Sequence, residues 1–393
     1  MTRSVIVSGA RTPIGKFSGI FKAQSAQQLG AVAIRGALER ARVDPATLDA
    51  VLMGQVIQAG QGQVSARQAA NGAGVPLSVN ATTINKACLS SLQAIYVADL
   101  MIRAGEADAV IAGGMESMTN TPYLVIGARD GFRIGDQTLH DSLFHDGLNC
   151  ALEHCAMGVS TERYNAGHLS RERQDEFAAR SHQLAAAARD NGHFDEEIVE
   201  VVMAGKRGAP DVTVRLDEGI RAETTASSLA TLRPAFAEGG TITAGNASQI
   251  SDGASAVLVM SERRAAELGL EPLGEIVSYG QVAGPDPSLL NQPSGAIRVA
   301  AARAGLDPSS FDLYELNEAF AAVSLSAIDD LHLDESKVNV NGGAIALGHP
   351  VGMSGARLAL TALLELRRRG GGTAAAALCG GGGQGDAVLL RTP

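Results

Sequence analysis

Two cysteines and one histidine lie in settings suited to covalent acyl transfer. Cys88 sits in Asn85-Lys-Ala-Cys-Leu-Ser-Ser-Leu92, and His349 in Gly348-His-Pro350 within a glycine-rich stretch from Asn341 to Gly355. Cys379 opens Cys379-Gly-Gly-Gly-Gly-Gln-Gly385. Glycine and other small residues let backbone come close to a ligand. Two thiols and an imidazole so placed suggest one thiol as nucleophile and a second that moves protons.

Cys88 falls at the start of a predicted helix, where free N–H groups and partial positive charge favour thiolate. A buried inert cysteine is the plain alternative; the polar neighbours Asn85, Ser90 and Ser91 argue against it. His349 precedes Pro350, which biases it toward extended backbone, and it is a candidate base for Cys88. The other seven histidines read as surface turn residues, and none has the spacing of a metal site. Cys379 ends the predicted strand Thr373–Leu378, where ligands gather in α/β sheets. A thiol pKa of about 8.5 lets it move protons both ways, and the glycines after it offer N–H groups to an oxyanion. A nucleotide fingerprint fails there, because Asp386–Leu390 reads as a strand rather than a helix. Asn317 and Glu318 follow a strand at Leu313–Leu316. Asn317 suits fixing a water or donating to a carbonyl, with a helix N-cap as an even alternative.

The elements that must position these groups alternate. Strands are predicted at Val5–Ser8, Ala50–Val56, Val79–Thr83 and Asp108–Ala112, the last closed by Gly113-Gly114, with helices at Ala26–Ala41 and Cys88–Ala104. The C-terminal third repeats the order: helix Ala296–Ala304, strands Leu313–Leu316 and Val338–Val340, helix Ser354–Arg369, strand Thr373–Leu378. Ser78-Val-Asn80 parallels Lys337-Val-Asn339, and Ile111-Ala-Gly-Gly114 parallels Leu378-Cys-Gly-Gly381. This is an internal duplication, with Cys88 and His349 at equivalent places around one cleft. Between the copies, Glu116–Ser248 is richer in charge. Helices are predicted there at Ala156–Asn165 and Glu172–Asn191, the second capped by Ser170, and such an insertion grips a ligand. Ser251–Glu267 returns to the sheet, with Ala256–Met260 as a strand.

The 393 residues are 45% hydrophobic and 19% charged, an ordinary globular balance for a layered α/β core. Glycine is abundant (46) and tryptophan absent, so the core is built of small aliphatic residues. A net charge of −10 argues against nucleic acid as the main partner. Cys88, Cys150, Cys155 and Cys379 form no disulfide framework and no CxxC knuckle, which suits a reducing cytoplasm. No signal peptide and no eighteen-residue apolar run is expected.

Taken in order, the Cys88 segment, Asn317-Glu-Ala-Phe320, Gly348-His-Pro350 and Cys379–Gly385 resemble the thiolase family over essentially the whole chain. The resemblance implies duplicated αβ halves in a five-layered α-β-α-β-α core, residues 1–118 with 249–269 and residues 270–393. It also implies an inserted loop domain, residues 119–248, and homodimers or homotetramers. It implies that acetyl-CoA acylates Cys88 with help from His349, and that Cys379 deprotonates a second acetyl-CoA. The product is acetoacetyl-CoA with release of CoA, and the reverse is thiolysis. One oxyanion hole would come from His349 with a water held by Asn317, the other from the N–H groups of Cys88 and Gly381. Arg221, Ser228, Phe236, Ala244 and Ser248 match the coenzyme A-binding stretch, and Leu148, Met157, Ala319 and Phe320 would line the acyl passage. No metal or redox cofactor is implied, since the thioester is the electrophile and coenzyme A is substrate.

Three departures bear on chain length. Ala156-Met157-Gly158 stands where short-chain members have His-Met-Gly, Leu89 replaces a small residue, and Pro287-Ser-Leu-Leu-Asn-Gln292 lacks a glycine-rich pattern. A broader 3-ketoacyl-CoA thiolase of β-oxidation is therefore an alternative, though Met157 would fill space in an acyl pocket. A non-catalytic acyl-CoA carrier would not need two thiols, and a decarboxylating synthase would use two histidines.

Overall fold

The apolar runs at the two ends of the chain become nine long strands of one curled sheet. In the computed structural model, which describes residues 2–205, 208 and 210–393, these are β1 (Ser4–Arg11), β2 (Ala50–Gly54), β3 (Asn80–Ile84), β4 (Ala109–Ser117), β5 (Ser251–Ser261), β6 (Gly274–Ala283), β7 (Leu313–Leu316), β8 (Gly372–Gly380) and β9 (Gln384–Thr392). Their order is β7-β8-β9-β6-β1-β5-β4-β2-β3. β1 and β6 pair only at Val5 with Glu275 and Ile6 with Gly274, so the sheet divides there into two halves.

The helices are α1 (Ala26–Ala41), α2 (Ser65–Gly72), α3 (Ser90–Ala104), α4 (Met157–Asn165), α5 (Arg171–Asp190), α6 (Gln292–Ala304), α7 (Ala321–Leu331) and α8 (Ser354–Arg368). Strand alternation sorts them into layers. Ile111 of β4 meets Leu29 and Ile34 of α1, whereas its neighbours Val110 and Ala112 face Leu92 and Ile95 of α3. In β8, Ala374, Ala376 and Leu378 face α8, and Ala375 and Ala377 face α6 and α7. So α3 and α8 lie between the two half-sheets, α1 and α2 cover one outer face, and α6 and α7 cover the other. The alanine run before Cys379 lets helices approach both faces of β8. The core is a five-layered, duplicated α/β arrangement, as the resemblance implies.

Several expected elements differ. Gly113-Gly114 does not close β4 but lies inside it. A Cβ on Gly114 would stand 1.8 Å from the Gly352 carbonyl oxygen, so this glycine serves close approach rather than a turn. Val338–Val340 is not a strand. Only Val338 bridges Tyr314, because Asn339 turns to φ +46°. The Asn339 side chain takes over the ladder, accepting from Leu316 N (2.8 Å) and donating to Leu316 O (2.8 Å). α3 begins at Ser90, two residues after Cys88. One stretch, Ala87–Ala104, does reach the length and mean hydropathy (1.2) of a membrane span; it is the core helix sandwiched between the half-sheets. Ser170 caps α5 as expected, accepting from Arg173 N.

The chain leaves the sheet after Ser117 and rejoins it at Ser251. Buried Arg11 ties this excursion to β1. It donates to Glu197 (2.7 Å) and, through both terminal nitrogens, to Asp217 (2.7 and 2.9 Å). Burial opposes its charge, but the two carboxylates more than offset that and hold its pKa above the ordinary value. Asp217 also accepts from Ile14 N (2.8 Å), and Glu218 from Lys16 N (2.9 Å), which fixes residues 14–16 against the excursion.

Candidate active site

Cys88 is presented by a strained turn after β3. Ala87 has φ +49°, rare for a residue with a side chain. The turn is held by its neighbours: Asn85 accepts from Ala87 N (3.1 Å), and Ser90 accepts from Lys86 N (2.9 Å) and donates to Ala87 O (2.6 Å). Lys86 reaches across to β9, where it pairs with Asp386 (2.7 Å). The turn is thereby tied to the other half of the molecule.

His349 approaches the same point from the second half. Gly348 before it has φ +112°, a conformation that favours glycine. Gly352 after it packs on β4, where Glu116 accepts from Gly352 N (3.1 Å) and from Val56 N (2.9 Å). The imidazole is almost fully buried. Its Nδ1 lies 2.6 Å from Ser354 Oγ, which donates to Pro350 O (3.1 Å). Ser354 therefore accepts from Nδ1–H, and Nε2 is left with its lone pair. Asn317 follows β7 directly and places Nδ2 3.3 Å from that Nε2; its Oδ1 is buried with no partner among the described residues. Asn317 is not a helix cap, since α7 begins at Ala321 with Phe320 as its cap position. Glu318 is a staple rather than a site group: it accepts from Ser181 (2.7 Å), Asn339 (2.8 Å) and Ile345 N (3.0 Å).

Cys88, His349, Cys379 and Gly381 border one cavity of about 70 Å³. Burial pushes the Cys88 thiol up to about 12, against the pull of its own backbone N–H and with Glu116 adding to the rise. Burial, then the nearness of Cys88, pushes Cys379 up as well. Burial and the Arg357 cation hold His349 down at about 3. The expected thiolate at Cys88 is thus corrected. The helix starts too late to bring its N–H groups onto the sulfur, and desolvation dominates. Burial thus favours the neutral form of both thiols and of the imidazole, whose Nε2 faces the Asn317 amide.

A wider cavity of about 450 Å³ opens outward from this one, and the two share Leu148, Met157, Ser248, Ala319, Phe320 and His349. Phe236 and Ala244 line the outer part, with the Phe236 ring edge-on to Phe320 at 5.9 Å. Two candidates lie elsewhere. Ser228 is exposed and spends its hydroxyl in a capping box with Thr225. Arg221 is exposed and packs against His182, its backbone N–H donating to Nδ1 (3.2 Å). His182 is not the surface histidine expected. It is buried on α5, and burial followed by the Arg221 and Lys16 charges brings its pKa down to about 4.

Sequence reasoning missed Lys16 and Phe17, which line the outer cavity, and Val56 and Leu289, which line the inner one. Only Leu289 left a trace, in the run Pro287–Gln292.

Family models of the thiolase N-terminal domain and the thiolase C-terminal domain match residues 4–263 and 270–392. The chain belongs to the thiolase family. A "Probable acetyl-CoA acetyltransferase" of Mycolicibacterium smegmatis is 55% identical over 98% of this chain and 100% of its own. An "Acetyl-CoA acetyltransferase" of Cupriavidus necator is 49% identical over 94% of each. A "Probable acetyl-CoA acyltransferase" of Staphylococcus aureus is 47% identical over 93% of each. In this thiolase the departure at Leu89 is accommodated by Gly380, where a Cβ would stand 2.6 Å from Leu89 Cγ. Ala156 lines the outer cavity.

Proposed function

We propose that this thiolase is an acetyl-CoA acetyltransferase that joins two acetyl-CoA into acetoacetyl-CoA and, in reverse, cleaves acetoacetyl-CoA with CoA. One observation carries the reading: both sulfurs and the His349 imidazole border a single cavity. The names of the relatives from M. smegmatis and C. necator support the same substrate.

In this mechanism Cys88 Sγ attacks the acetyl carbonyl carbon and its proton passes to His349 Nε2, then to the departing CoA thiolate. A buried thiol and a buried imidazole resist separate ionisation, so the proton moves as the C–S bond forms. Cys379 then gives its proton to the emptied His349 and, as thiolate, takes a proton from the methyl of a second acetyl-CoA. The carbanion attacks the acetyl-Cys88 carbonyl, the C–C bond forms, the C–S bond breaks, and the Cys88 sulfur recovers a proton from His349. Asn317, holding a water beside His349, and the N–H groups of Cys88 and Gly381 would bear the oxyanions. Phe236, Ala244, Ser248, Leu148, Met157, Ala319 and Phe320 would guide the pantetheine and acyl groups. Arg221, beside the Lys16 side of the opening, would meet the nucleotide end, with Ser228 on the neighbouring surface. The thioester supplies the electrophile, and no further cofactor is proposed.

Thiolysis rates for 3-ketoacyl-CoA chains of four to sixteen carbons test the substrate. A steep fall beyond four is expected; a flat profile would replace this reading with a broad 3-ketoacyl-CoA thiolase. We also propose a cytoplasmic homodimer or homotetramer. Four free cysteines and the outer edge of β3 support it, and a sedimentation mass of one 40.4 kDa chain would count against assembly.

A further inference from the structure

Cys88 must meet two different partners, and separate sets of bonds tie its turn to each. Toward His349 the tie runs through backbone groups and neutral side chains onto one carboxylate. Asn85 donates to Val56 O (3.0 Å), and Val56 N and Gly352 N both donate to Glu116 (2.9 and 3.1 Å). Ser91 accepts from Ala356 N on α8 (3.0 Å). Toward Cys379 the tie is an ion pair. Lys86, two residues before Cys88, places Nζ 2.7 and 2.9 Å from the two carboxylate oxygens of Asp386. Asp386 lies on β9 directly opposite Leu378, and its neighbour Gly385 lies opposite Cys379. The Asp386 side chain is fully buried, and that of Lys86 is 20% exposed. The carboxylate also accepts from the Tyr279 hydroxyl (2.7 Å). Lys86 donates as well to Gln93 (3.2 Å), which accepts from Gln281 on β6 (2.7 Å). The ammonium and the carboxylate are each held by more than one partner, so the bridge has one defined geometry.

We propose that Lys86 is a positioning residue which, through Asp386, holds the two sulfurs at the spacing that condensation requires. The inference rests on the function proposed above and adds a residue whose effect falls on one of its two steps. Lys86 and Asp386 border neither the inner nor the outer cavity, so they act through the elements they join. Acetylation needs Cys88 and His349, which the first set of bonds aligns. Condensation needs Cys88 and Cys379 on either side of one new C–C bond. Ala87, beside Lys86, is held at φ +49°, and such a conformation persists only where its surroundings enforce it. Without the Lys86 ammonium the turn keeps its bonds to Asn85 and Ser90 but loses its link to β9. Leu89 still packs on Gly380, but apolar contact is non-directional and does not fix a distance. A displacement of about 1 Å at the reacting atoms costs on the order of a hundredfold in rate.

The test measures the two steps separately in the full chain. Acetylation of Cys88 by acetyl-CoA is followed in single turnover, formation of acetoacetyl-CoA in steady state, and a thermal melt accompanies both. K86M leaves Asp386 buried without its charge partner, so its melt should fall. K86M/D386N leaves no buried charge, so its melt should recover toward the parent's. Formation of acetoacetyl-CoA is expected to drop by about tenfold or more in K86M and to stay that low in K86M/D386N, while acetylation changes by less than about threefold in both. A bridge that served stability alone would return the rate together with the melt. A parent that makes acetoacetyl-CoA, with a double variant that condenses at the parent's rate, overturns the role of Lys86 and leaves the proposed function standing. Equal loss of acetylation and condensation in the variants overturns it too. A parent that makes no acetoacetyl-CoA removes the proposed function and this inference together. If K86M fails to fold, the double variant decides; if neither folds, D386N, which weakens the bridge without leaving a buried charge, decides by the same comparison.

Discussion

In the proposed mechanism, a buried histidine that remains neutral far below pH 6.5 would give Cys88 a proton acceptor throughout the physiological range. His349 is held at about 3 by burial and by Arg357, so its base form persists as pH falls and is lost only as pH approaches that value. The acetylation rate of Cys88, measured in single turnover, should therefore show no acid limb near pH 6.5; a limb there would mean His349 titrates like a solvated imidazole. The direction of its lone pair depends on Ser354, which accepts from Nδ1–H. Ser354→Ala should slow acetylation roughly 10–100-fold, as loss of a hydrogen bond to a group that becomes charged implies, and should lower the thermal melt modestly because a buried N–H loses its partner. Unchanged acetylation would mean that Ser354 does not orient the ring. Cys88, His349 and Cys379 were legible in the sequence because each stands among glycines or small polar residues. Ser354 was not, since a serine there reads only as the start of a helix. The thiolate expectation failed because desolvation is a property of the assembled layers, which no local segment displays.

At the scale of elements, the glycine-rich segments act by letting backbones meet. Gly114 of β4 and Gly352 of the His349 loop are in direct contact, and that contact brings the imidazole across to the Cys88 turn. The sequence marked Gly113-Gly114 as a strand end because glycine is common at turns; the close approach requiring it comes from a segment more than two hundred residues away. Val338–Val340 was misread for a similar reason. Its β-branched residues suggest a strand, but the Asn339 side chain replaces the ladder there. The outer cavity wall depends on Arg11, which links β1 to Glu197 and Asp217 inside the core. Replacing Arg11 with methionine leaves two buried carboxylates without their partner and should cost about 3–5 kcal/mol in denaturant unfolding. A loss below about 1 kcal/mol would show that the link contributes little.

At the scale of the whole molecule, the duplicated halves each deliver part of one site. Cys88 comes from the turn after β3 in the first half, and Asn317, His349 and Cys379 come from the second. Alternating strands and helices and the repeated motifs made this layering legible. The outer cavity wall at Lys16 and Phe17 was not, because it depends on how the excursion between β4 and β5 folds back over the sheets.

The central claim is that Cys88 carries the acyl group and Cys379 moves the proton. It is tested most directly by intact-mass analysis together with product assay after mixing with acetyl-CoA. Cys379→Ser should gain the mass of one acetyl group, mapped to Cys88, and release no acetoacetyl-CoA, whereas Cys88→Ser should gain no acetyl group at all. Equal loss of acetylation in both variants, or an acetyl group mapped to another residue, would contradict it.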